Sequence, residues 1–276
     1  GPTYLAALQS FQLFGADCIA VPQEADGPEL DAMREVLSTR KPSFAYLIPT
    51  FQNPSAVRYS NAKRDAVAAL LDEFGVTLLE DEPYRDLVFD EGDARPIVSR
   101  LQKASWVYTG TVSKTLLPGL RVGYLIASPD LFPYLLRLKQ SADLHTNRIG
   151  QWQALQWFGT EAYQEHLAAL RDFYRERRDG MQRALEKHFS DLADWNMPQG
   201  GLFFWLTLKK PVDTRTLLPQ ALAENVAFMP GEAFFVNPDE NPGFLRLNFS
   251  HVAPERVEEG LSRLAKVVRE AQAQLA

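Results

Sequence analysis

Several residue types are too scarce in this sequence to support whole classes of protein. Cys18 is the single cysteine among 276 residues, so neither an internal disulfide nor a thiolate metal site can form. The four histidines lie far apart, which argues against a local metal-binding motif, and we expect no metal. No run of about 20 apolar residues is present, so we expect no membrane-spanning segment.

Positive charge is also in deficit. The chain has 29 lysine and arginine residues against 35 aspartate and glutamate residues, for a net charge of −6. This balance argues against a broad nucleic-acid surface. With 46% hydrophobic residues the chain can bury a large core. No signal-peptide pattern is found, and we expect a folded cytoplasmic protein that acts on small molecules and binds neither nucleic acid nor membrane.

Short apolar runs alternate with helical periodicity in the first half of the chain. Helical spacing appears at 5–13, 30–37 and 60–75, and the predicted strands are 17–21, 44–48, 76–79, 106–108 and 122–126. This alternation predicts an α/β fold with a mostly parallel sheet sandwiched by helices. Ligands of such sheets bind at the carboxyl ends of the strands, which directs attention to the loops 49–55, 80–84 and 109–121.

The second half of the chain loses this strict alternation. Helices are predicted at 131–141, 151–158, 161–189, 215–224 and 254–273, with strands at 202–206, 226–229 and 244–249. The mixture indicates a smaller C-terminal α+β domain. We therefore expect a large domain over residues 1–170 and a small domain over residues 171–276, bridged by the long helix 161–189.

A lysine lies in a polar turn that follows a predicted strand. The segment Thr109–Thr115 contains Thr111, Ser113 and Lys114, and Arg121 follows shortly after. A desolvated lysine can form a Schiff base with an aldehyde, and hydroxyls with a guanidinium suit a phosphate group. A solvent-exposed lysine with a surface ion pair is the competing interpretation. Neither G-x-x-x-x-G-K nor G-x-G-x-x-G is present, which disfavours nucleoside triphosphates and dinucleotides.

Two further loops carry candidate site residues. The segment Glu80–Tyr84 ends a buried strand, where Asp81 can keep a heterocyclic nitrogen protonated and Tyr84 can hydrogen-bond a ring oxygen. An acidic helix cap is the alternative, and a two-metal carboxylate site is disfavoured because no histidine accompanies the cluster. Asn53 lies in a proline-flanked loop and can donate to a ring oxygen, although Asn-Pro is also a common turn.

A charged residue interrupts an apolar strand near the C-terminus. Arg246 alternates with Leu245 and Leu247 in the predicted strand 244–249, so it lies on the opposite face from these two leucines. An arginine on a strand usually points to water. Beside a cleft, however, its guanidinium is suited to bind a substrate carboxylate through two parallel hydrogen bonds.

Taken together, these motifs resemble the fold-type I, pyridoxal-phosphate-dependent aminotransferases of class I/II, and within them the 2-aminoadipate/kynurenine subgroup. The resemblance extends over effectively the whole chain and rests on the order of its landmarks. Those landmarks are Tyr4, Asn53-Pro54, Asp81-x-x-Tyr84, Ser113-Lys114, Arg121 and Arg246.

The resemblance implies a role for each landmark. Lys114 would carry pyridoxal 5'-phosphate as an internal aldimine and shuttle the proton, assisted by Asp81 at the ring nitrogen. Asn53 and Tyr84 would hold the phenolic oxygen, and Tyr4 would stack on the ring. Thr111, Ser113 and Arg121 would bind the phosphate, and Asn53 and Arg246 would bind the substrate. The implied reaction moves an amino group from an L-amino acid to a 2-oxo acid, with 2-oxoglutarate as the expected acceptor, in a cytoplasmic homodimer of amino-acid metabolism.

The sequence departs from the family pattern in three places. Ala56 stands where the family often has glycine, and Val112 replaces a common phenylalanine. The family also has roughly a hundred or more residues before the Pro-Thr-Tyr motif. The large domain is therefore expected to be incomplete at its N-terminus, and this chain alone is expected to bind cofactor weakly and to turn over poorly.

Two other functions stay open. Some transcription regulators use an aminotransferase-like domain as a ligand-sensing effector domain, and a pyridoxal-phosphate-dependent lyase can be built on the same scaffold. The arginine-rich stretch after Arg171 interleaves both charge signs, which is typical of a solvated helix face rather than of a DNA-binding helix.

Overall fold

The computed structural model describes residues 1–90 and 95–274. The chain divides into two compact units. The parallel-sheet unit comprises Val21–Phe51 and Val57–Arg171, and the antiparallel-sheet unit comprises Gly1–Ala20, Gln52–Ala56 and Asp172–Ala276. The segments 1–20 and 52–56 thus group with the C-terminal part of the chain, and the expected domains 1–170 and 171–276 stay a prediction.

The parallel-sheet unit contains a short ribbon and a four-stranded sheet. The ribbon is formed by β1 (Gln23–Glu24) and β2 (Gly27–Pro28). The sheet has the order β3 (Phe44–Leu47), β4 (Thr77–Asp81), β5 (Trp106–Thr111) and β6 (Gly123–Ala127). Strands β3, β4 and β5 are parallel, whereas β6 is antiparallel to β5. The expected α/β class with a mostly parallel sheet is confirmed.

The helices of this unit lie within three residues of the predicted ranges 30–37, 60–75, 131–141 and 151–158. They are α2 (Leu30–Arg40), α3 (Asn61–Phe74), α4 (Phe132–Ala142) and α5 (Arg148–Trp157). The Ser60 hydroxyl caps α3 by accepting a hydrogen bond from the Lys63 amide at 3.1 Å, and Gly75 ends it with a φ of 65°. The buried face of α3 packs with α2 and β4 into an apolar core that includes Met33, Val67, Leu71 and Leu78.

The strand expected at 17–21 is wrong. Within the described residues no strand pairs with this segment, and its backbone is irregular. A short apolar run forms a strand only where a neighbouring strand accepts its hydrogen bonds. The expectation of parallel pairing also fails at β6, because only residues 112–122 join β5 to β6, and a parallel crossover takes about a dozen or more residues, usually with a helix.

The antiparallel-sheet unit has a sheet in the order β7 (Ala193–Trp195), β8 (Phe203–Leu208), β10 (Phe244–Asn248) and β9 (Met229–Pro230). Its helices are α1 (Leu5–Leu13), α7 (Thr214–Ala223) and α8 (Pro254–Ala273), together with the part of α6 (Glu161–Phe189) that follows Arg171. The strand β7 has only three residues, which are too few to show a periodicity, and it was therefore not predicted. Phe204 and Phe249 meet edge to face in the core of this unit.

Exposed apolar side chains are concentrated on α4 and α5. Five of them are more than 60% exposed: Tyr134, Leu138, Ile149, Trp152 and Leu155. Strand β6 also exposes Tyr124, Leu125 and Ile126. None of the described helices combines the length and the apolar character that crossing a membrane requires.

Candidate active site

Asp81, the one carboxylate among the predicted site residues, is held by two hydrogen bonds. It is the last residue of β4, and two neighbouring strands support it from either side. The Tyr46 hydroxyl of β3 donates to Oδ2 at 2.7 Å, and the Thr109 hydroxyl of β5 donates to Oδ1 at 3.0 Å. Burial raises the pKa of Asp81, while these two hydrogen bonds oppose the rise. The carboxylate is therefore oriented and partly withdrawn from water.

Lys114 lies in the turn that follows β5. The turn is closed by the amides of Leu116 and Leu117, which both donate to the Val112 carbonyl, at 2.9 and 3.2 Å. Because β4 and β5 are parallel and Asp81 pairs with Thr109, the Asp81 carboxylate and the Lys114 turn follow the carboxyl ends of adjacent strands. This is the edge at which ligands bind in open α/β sheets.

The two predicted phosphate-binding hydroxyls lie together in the same turn. The Thr111 hydroxyl lies 3.0 Å from the Ser113 hydroxyl and accepts a hydrogen bond from the Ser113 amide at 3.1 Å. Arg121 is exposed, has a φ of 53° and donates to the Pro118 carbonyl at 3.3 Å. Tyr84 is buried in the turn after Asp81, where its carbonyl accepts from the Leu87 amide at 2.8 Å.

Thr115, which sequence reasoning did not single out, anchors the Lys114 turn to α6. It is buried, and the Tyr163 hydroxyl lies 3.2 Å from its hydroxyl. The His166 ring contacts the Thr115 carbonyl through Nε2 at 2.9 Å. Both partners belong to the part of α6 that lies in the parallel-sheet unit. The residue next to the lysine is thereby held from two directions.

Asn53 and Arg246 lie together in the antiparallel-sheet unit. Arg246 Nη1 donates to Asn53 Oδ1 at 2.8 Å. The guanidinium carbon lies 4.2 Å from the Phe203 ring centroid and 5.0 Å from that of Phe234. Leu245 and Leu247 are buried on the opposite face of β10, as the alternation predicts. Arg246 is therefore a half-buried cation held against two aromatic rings, not a surface arginine.

Two further residues that the sequence analysis singled out belong to this unit. Tyr4 lies in its N-terminal segment, and Ala56 lies in the loop 52–56. Tyr4 is partly exposed at the start of α1, and its carbonyl accepts from the Leu8 amide at 3.1 Å. Ala56 has a φ of 58°, and its amide donates to the Gln52 carbonyl at 2.6 Å. The position at which the family often has glycine thus has the left-handed backbone that glycine adopts without strain.

The sequence matches the family described as "Aminotransferase class I and II" over residues 1–264. It is 36% identical to aromatic-amino-acid aminotransferase 1 of Thermococcus litoralis, over 98% of this chain and 66% of that protein. It is also 36% identical to 2-aminoadipate transaminase of Thermus thermophilus, over 97% of this chain and 68% of that protein. The chain belongs to the class I and II aminotransferases.

Solved structures agree with this assignment. A kynurenine aminotransferase of Pyrococcus horikoshii, crystallised with PMP and kynurenine, superposes with a TM-score of 0.93 at 34% identity, over 98% of this chain and 68% of that chain. A less similar relative is an uncharacterized HTH-type transcriptional regulator of Bacillus subtilis, 28% identical over 98% of this chain and 55% of that protein. The chain spans about two thirds of the length of the aminotransferases it matches.

The expected family, fold, enzyme class and cofactor are confirmed by these similarities: this is a pyridoxal-phosphate-dependent aminotransferase chain. The side chains present fit that cofactor. Asp81 is a desolvated carboxylate whose two neutral donors leave its charge unbalanced, so it suits a cationic ring nitrogen. The paired hydroxyls of Thr111 and Ser113 suit a phosphate.

Sequence reasoning missed the residues that support this site from behind. Tyr46 and Thr109 hold Asp81, and a buried cluster of Arg64, Glu80 and Glu82 lies next to it along the chain. The strand register carries a signal for Thr109, which pairs with Asp81. Tyr46 pairs with Leu79, so only the folded structure shows its contact with Asp81. For Arg64 the only signal is an arginine at a helix position whose neighbours Val67, Ala68 and Leu71 are buried.

Proposed function

We propose that the whole protein transfers an amino group from an L-amino acid to a 2-oxo acid, with 2-oxoglutarate as the expected acceptor. One observation carries the proposal. The fixed, desolvated carboxylate of Asp81 ends β4, and the adjacent parallel strand β5 leads directly into the Lys114 turn. A carboxylate and an amine at the same sheet edge are the two groups that pyridoxal-phosphate chemistry requires from its protein.

In this proposal each residue of the parallel-sheet unit has one task. The cofactor, when bound, supplies an electron-withdrawing ring that stabilises negative charge at the substrate Cα. The Asp81 carboxylate keeps the ring nitrogen protonated, and Tyr84 binds the ring oxygen. Lys114 would hold the cofactor covalently, and its Nζ would move the Cα proton. Thr111, Ser113 and Arg121 bind the phosphate.

The residues of the antiparallel-sheet unit are proposed to bind substrate and to complete the contacts with the ring. Arg246 binds the α-carboxylate through its guanidinium, which is positioned by the hydrogen bond to Asn53 and by the two phenylalanine rings. Asn53 also donates to the ring oxygen through its amide nitrogen, since its Oδ1 accepts from Arg246. Tyr4 stacks on the ring.

We propose donors with large side chains, of the aromatic, kynurenine or 2-aminoadipate kind. This substrate class is supported by the names of the relatives, which act on aromatic amino acids, 2-aminoadipate and kynurenine. A panel of these donors, each with 2-oxoglutarate, ranks them by kcat/KM. Aspartate or alanine as the best donor would contradict the proposed class.

The test of the reaction uses the full-length protein supplied with pyridoxal 5'-phosphate. Glutamate formation is measured for the wild type, for Lys114→Ala and for the control Lys103→Ala, an exposed lysine of the same unit. Since general acid–base catalysis contributes about 10²–10⁴-fold, we expect Lys114→Ala to lose at least that factor and Lys103→Ala to lose nothing. Wild-type glutamate formation by Lys114→Ala contradicts the proposal. Release of pyruvate and ammonia in place of glutamate supports a lyase.

We also propose a cytoplasmic homodimer. A single cysteine is usual for a protein of a reducing compartment. The exposed apolar residues of α4 and α5 support self-association, because monomeric proteins rarely leave so many large apolar side chains together at the surface. Sedimentation equilibrium tests the dimer, and a monomer at micromolar concentration contradicts it. Cell fractionation tests the location, and recovery outside the cytosol contradicts it.

The second candidate is a ligand-sensing effector domain of a transcription regulator. It is supported by the regulator of Bacillus subtilis that matches 98% of this chain over 55% of its own length. The same glutamate assay separates the two functions. A regulator binds pyridoxal phosphate and amino acid without turnover, whereas the enzyme produces glutamate with many turnovers per site.

A further inference from the structure

Behind Asp81, the parallel-sheet unit buries three ionisable side chains in one cluster. Arg64 of α3 and Glu80 of β4 are 0% exposed, and Glu82 is 4% exposed. Arg64 Nη1 lies 4.0 Å from Glu80 Oε1 and 3.6 Å from Glu82 Oε1. Because alternate residues of a strand face opposite sides, Glu80 and Glu82 flank Asp81 along the chain and point away from it. The cluster thus lies on the opposite side of the chain from the Asp81 side chain.

The cluster contains two acids for one base, and their hydrogen bonds differ. Glu80 accepts from the amides of Ile97 at 2.9 Å and Val98 at 2.8 Å, one on each oxygen. Glu82 accepts from the Thr50 hydroxyl on Oε1 at 2.8 Å, while its buried Oε2 accepts no hydrogen bond from the described residues. The Glu82 side chain also lies within hydrogen-bonding reach of the Glu80 carboxylate, which can accept its proton. An ionised carboxylate with a bare buried oxygen is costly, so Glu82 is the acid that retains a proton.

The charges around Glu82 agree with this assignment. Burial, reinforced by the charge of Glu80, raises the pKa of Glu82 to about 8, against the opposing effect of Arg64. The charged or titratable groups that face Glu82 are Arg64 of α3, Glu80 of β4, Arg85 of the following turn, Tyr59 of the segment before α3 and Tyr108 of β5.

Arg64 also ties this cluster to the loop that follows β3. Its Nη2 donates to the Pro49 carbonyl at 2.9 Å and to the Thr50 hydroxyl at 2.8 Å. The Thr50 hydroxyl accepts from Arg64 and donates to Glu82, so it links the two side chains. The Glu82 amide, in turn, donates to the Thr109 carbonyl at 3.0 Å, and the Thr109 hydroxyl holds Asp81. The backbone of Glu82 is therefore hydrogen-bonded to Thr109, the residue whose hydroxyl supports Asp81.

We propose that Glu82 is a positioning residue that keeps its proton on Oε2 at neutral pH, and that its ionisation disturbs the support of the Asp81 carboxylate. In the protonated state the charges of Arg64 and Glu80 balance. Ionisation leaves the cluster with two buried negative charges against one positive charge, and raises the proton affinity of Asp81 through like-charge repulsion. The effect on catalysis rests on the proposed function, whereas the buried proton does not.

The first test uses the protein without cofactor and follows the carboxyl groups by infrared difference spectroscopy across the pH range. We expect a protonated-carboxyl band that titrates near the pKa of about 8 and is missing in Glu82→Gln. The control Glu35→Gln, at an exposed glutamate of the same unit, keeps the band. The proposal is overturned if the wild type has no such band, or if Glu82→Gln retains it.

A second variant covers the case in which Glu82→Gln fails to fold. Thr50→Val has nearly the same shape and removes the hydroxyl that donates to Glu82 Oε1. Loss of a donor to the ionised form favours the protonated form, so the band in Thr50→Val must titrate at higher pH than in the wild type. An unchanged titration would mean that the proton sits elsewhere.

Stability supplies an independent readout with a definite sign. Glu82 has a folded pKa of about 8 against an ordinary value of 4.5, so its stabilising effect is present below about pH 4.5 and is lost as the pH rises to about 8. Between these limits the ratio of the folding constants of Glu82→Gln and wild type should rise up to about tenfold per pH unit. A ratio independent of pH contradicts the buried proton.

The last test separates this proposal from the proposed function. In the loaded enzyme, the alkaline limb of kcat/KM against pH should move to higher pH in Glu82→Gln and stay in place in Glu35→Gln. If the infrared band is confirmed but the alkaline limb does not move, Glu82 is a buried acid without a positioning role. If the band is confirmed but the protein forms no glutamate, the proposed function is contradicted, whereas the assignment of the proton to Glu82 still holds.

Discussion

The hydrogen bond from Tyr46 to Asp81 allows a quantitative prediction for Tyr46→Phe. The bond joins a hydroxyl and a carboxylate oxygen at 2.7 Å, and a hydrogen bond to a charged group contributes about 1.5–3 kcal/mol. Because both residues are only partly buried, we expect the lower part of this range, about 1.5–2 kcal/mol of unfolding free energy at neutral pH.

The pH dependence of this loss has a definite sign. Burial already raises the folded pKa of Asp81, so its contribution to stability is largest below the ordinary value of 3.8 and falls as the pH rises through the folded pKa. Removing the Tyr46 hydroxyl raises the pKa of Asp81 further. The deficit of Tyr46→Phe must therefore be larger near neutral pH than near about pH 4, where only a neutral hydrogen bond of about 0.5–1.5 kcal/mol is lost.

Urea unfolding of the cofactor-free protein between about pH 4 and pH 8 measures this difference. Tyr134→Phe, at a tyrosine 69% exposed on α4, is the matched control and should change stability by less than about 0.5 kcal/mol at every pH. A deficit of Tyr46→Phe that is the same at both ends of the range refutes the account of Asp81 as a supported, desolvated carboxylate.

Two further predictions concern the antiparallel-sheet unit. Ala56→Gly should raise the unfolding free energy by about 0.5–1 kcal/mol, because relief of the left-handed backbone at a φ of 58° outweighs the greater freedom of glycine in the unfolded chain, as urea unfolding can show. A destabilised variant contradicts it. Arg246→Lys should raise the KM of the amino acid about tenfold or more with a smaller change in kcat, because a lysine cannot form two parallel hydrogen bonds. An unchanged KM in steady-state kinetics would place the carboxylate elsewhere.

The elements that could be predicted from sequence are those whose signals are local. Helix α3 has a serine cap, an apolar stripe and a terminal glycine, and it was expected between Ser60 and Gly75, as found. The alternation around Arg246 likewise gives the correct face of β10. The strand expected at 17–21 failed because strand formation depends on a partner, and an apolar run does not reveal whether a partner is present.

The site residues also divide into those that have a local sequence signal and those that do not. The segments that contain Asp81 and Lys114 are predicted from their position at the ends of buried strands, which is a property of the chain order. The supporting residues Tyr46 and Arg64 come from other elements, at sequence separations of 35 and 18 residues from Asp81 and Glu82 respectively, and they act through hydrogen bonds and charges. Such long-range pairs leave no periodic signal, so they emerge only from the folded structure.

The covalent role of Lys114 is tested most directly by identifying the lysine that carries the cofactor. The full-length protein is loaded with pyridoxal 5'-phosphate, reduced with borohydride, digested and analysed by mass spectrometry. The phosphopyridoxyl label is predicted on the peptide that contains Lys114, and on no peptide of Lys114→Ala. A stoichiometric label on a different lysine, or an undiminished label in Lys114→Ala, would contradict the account.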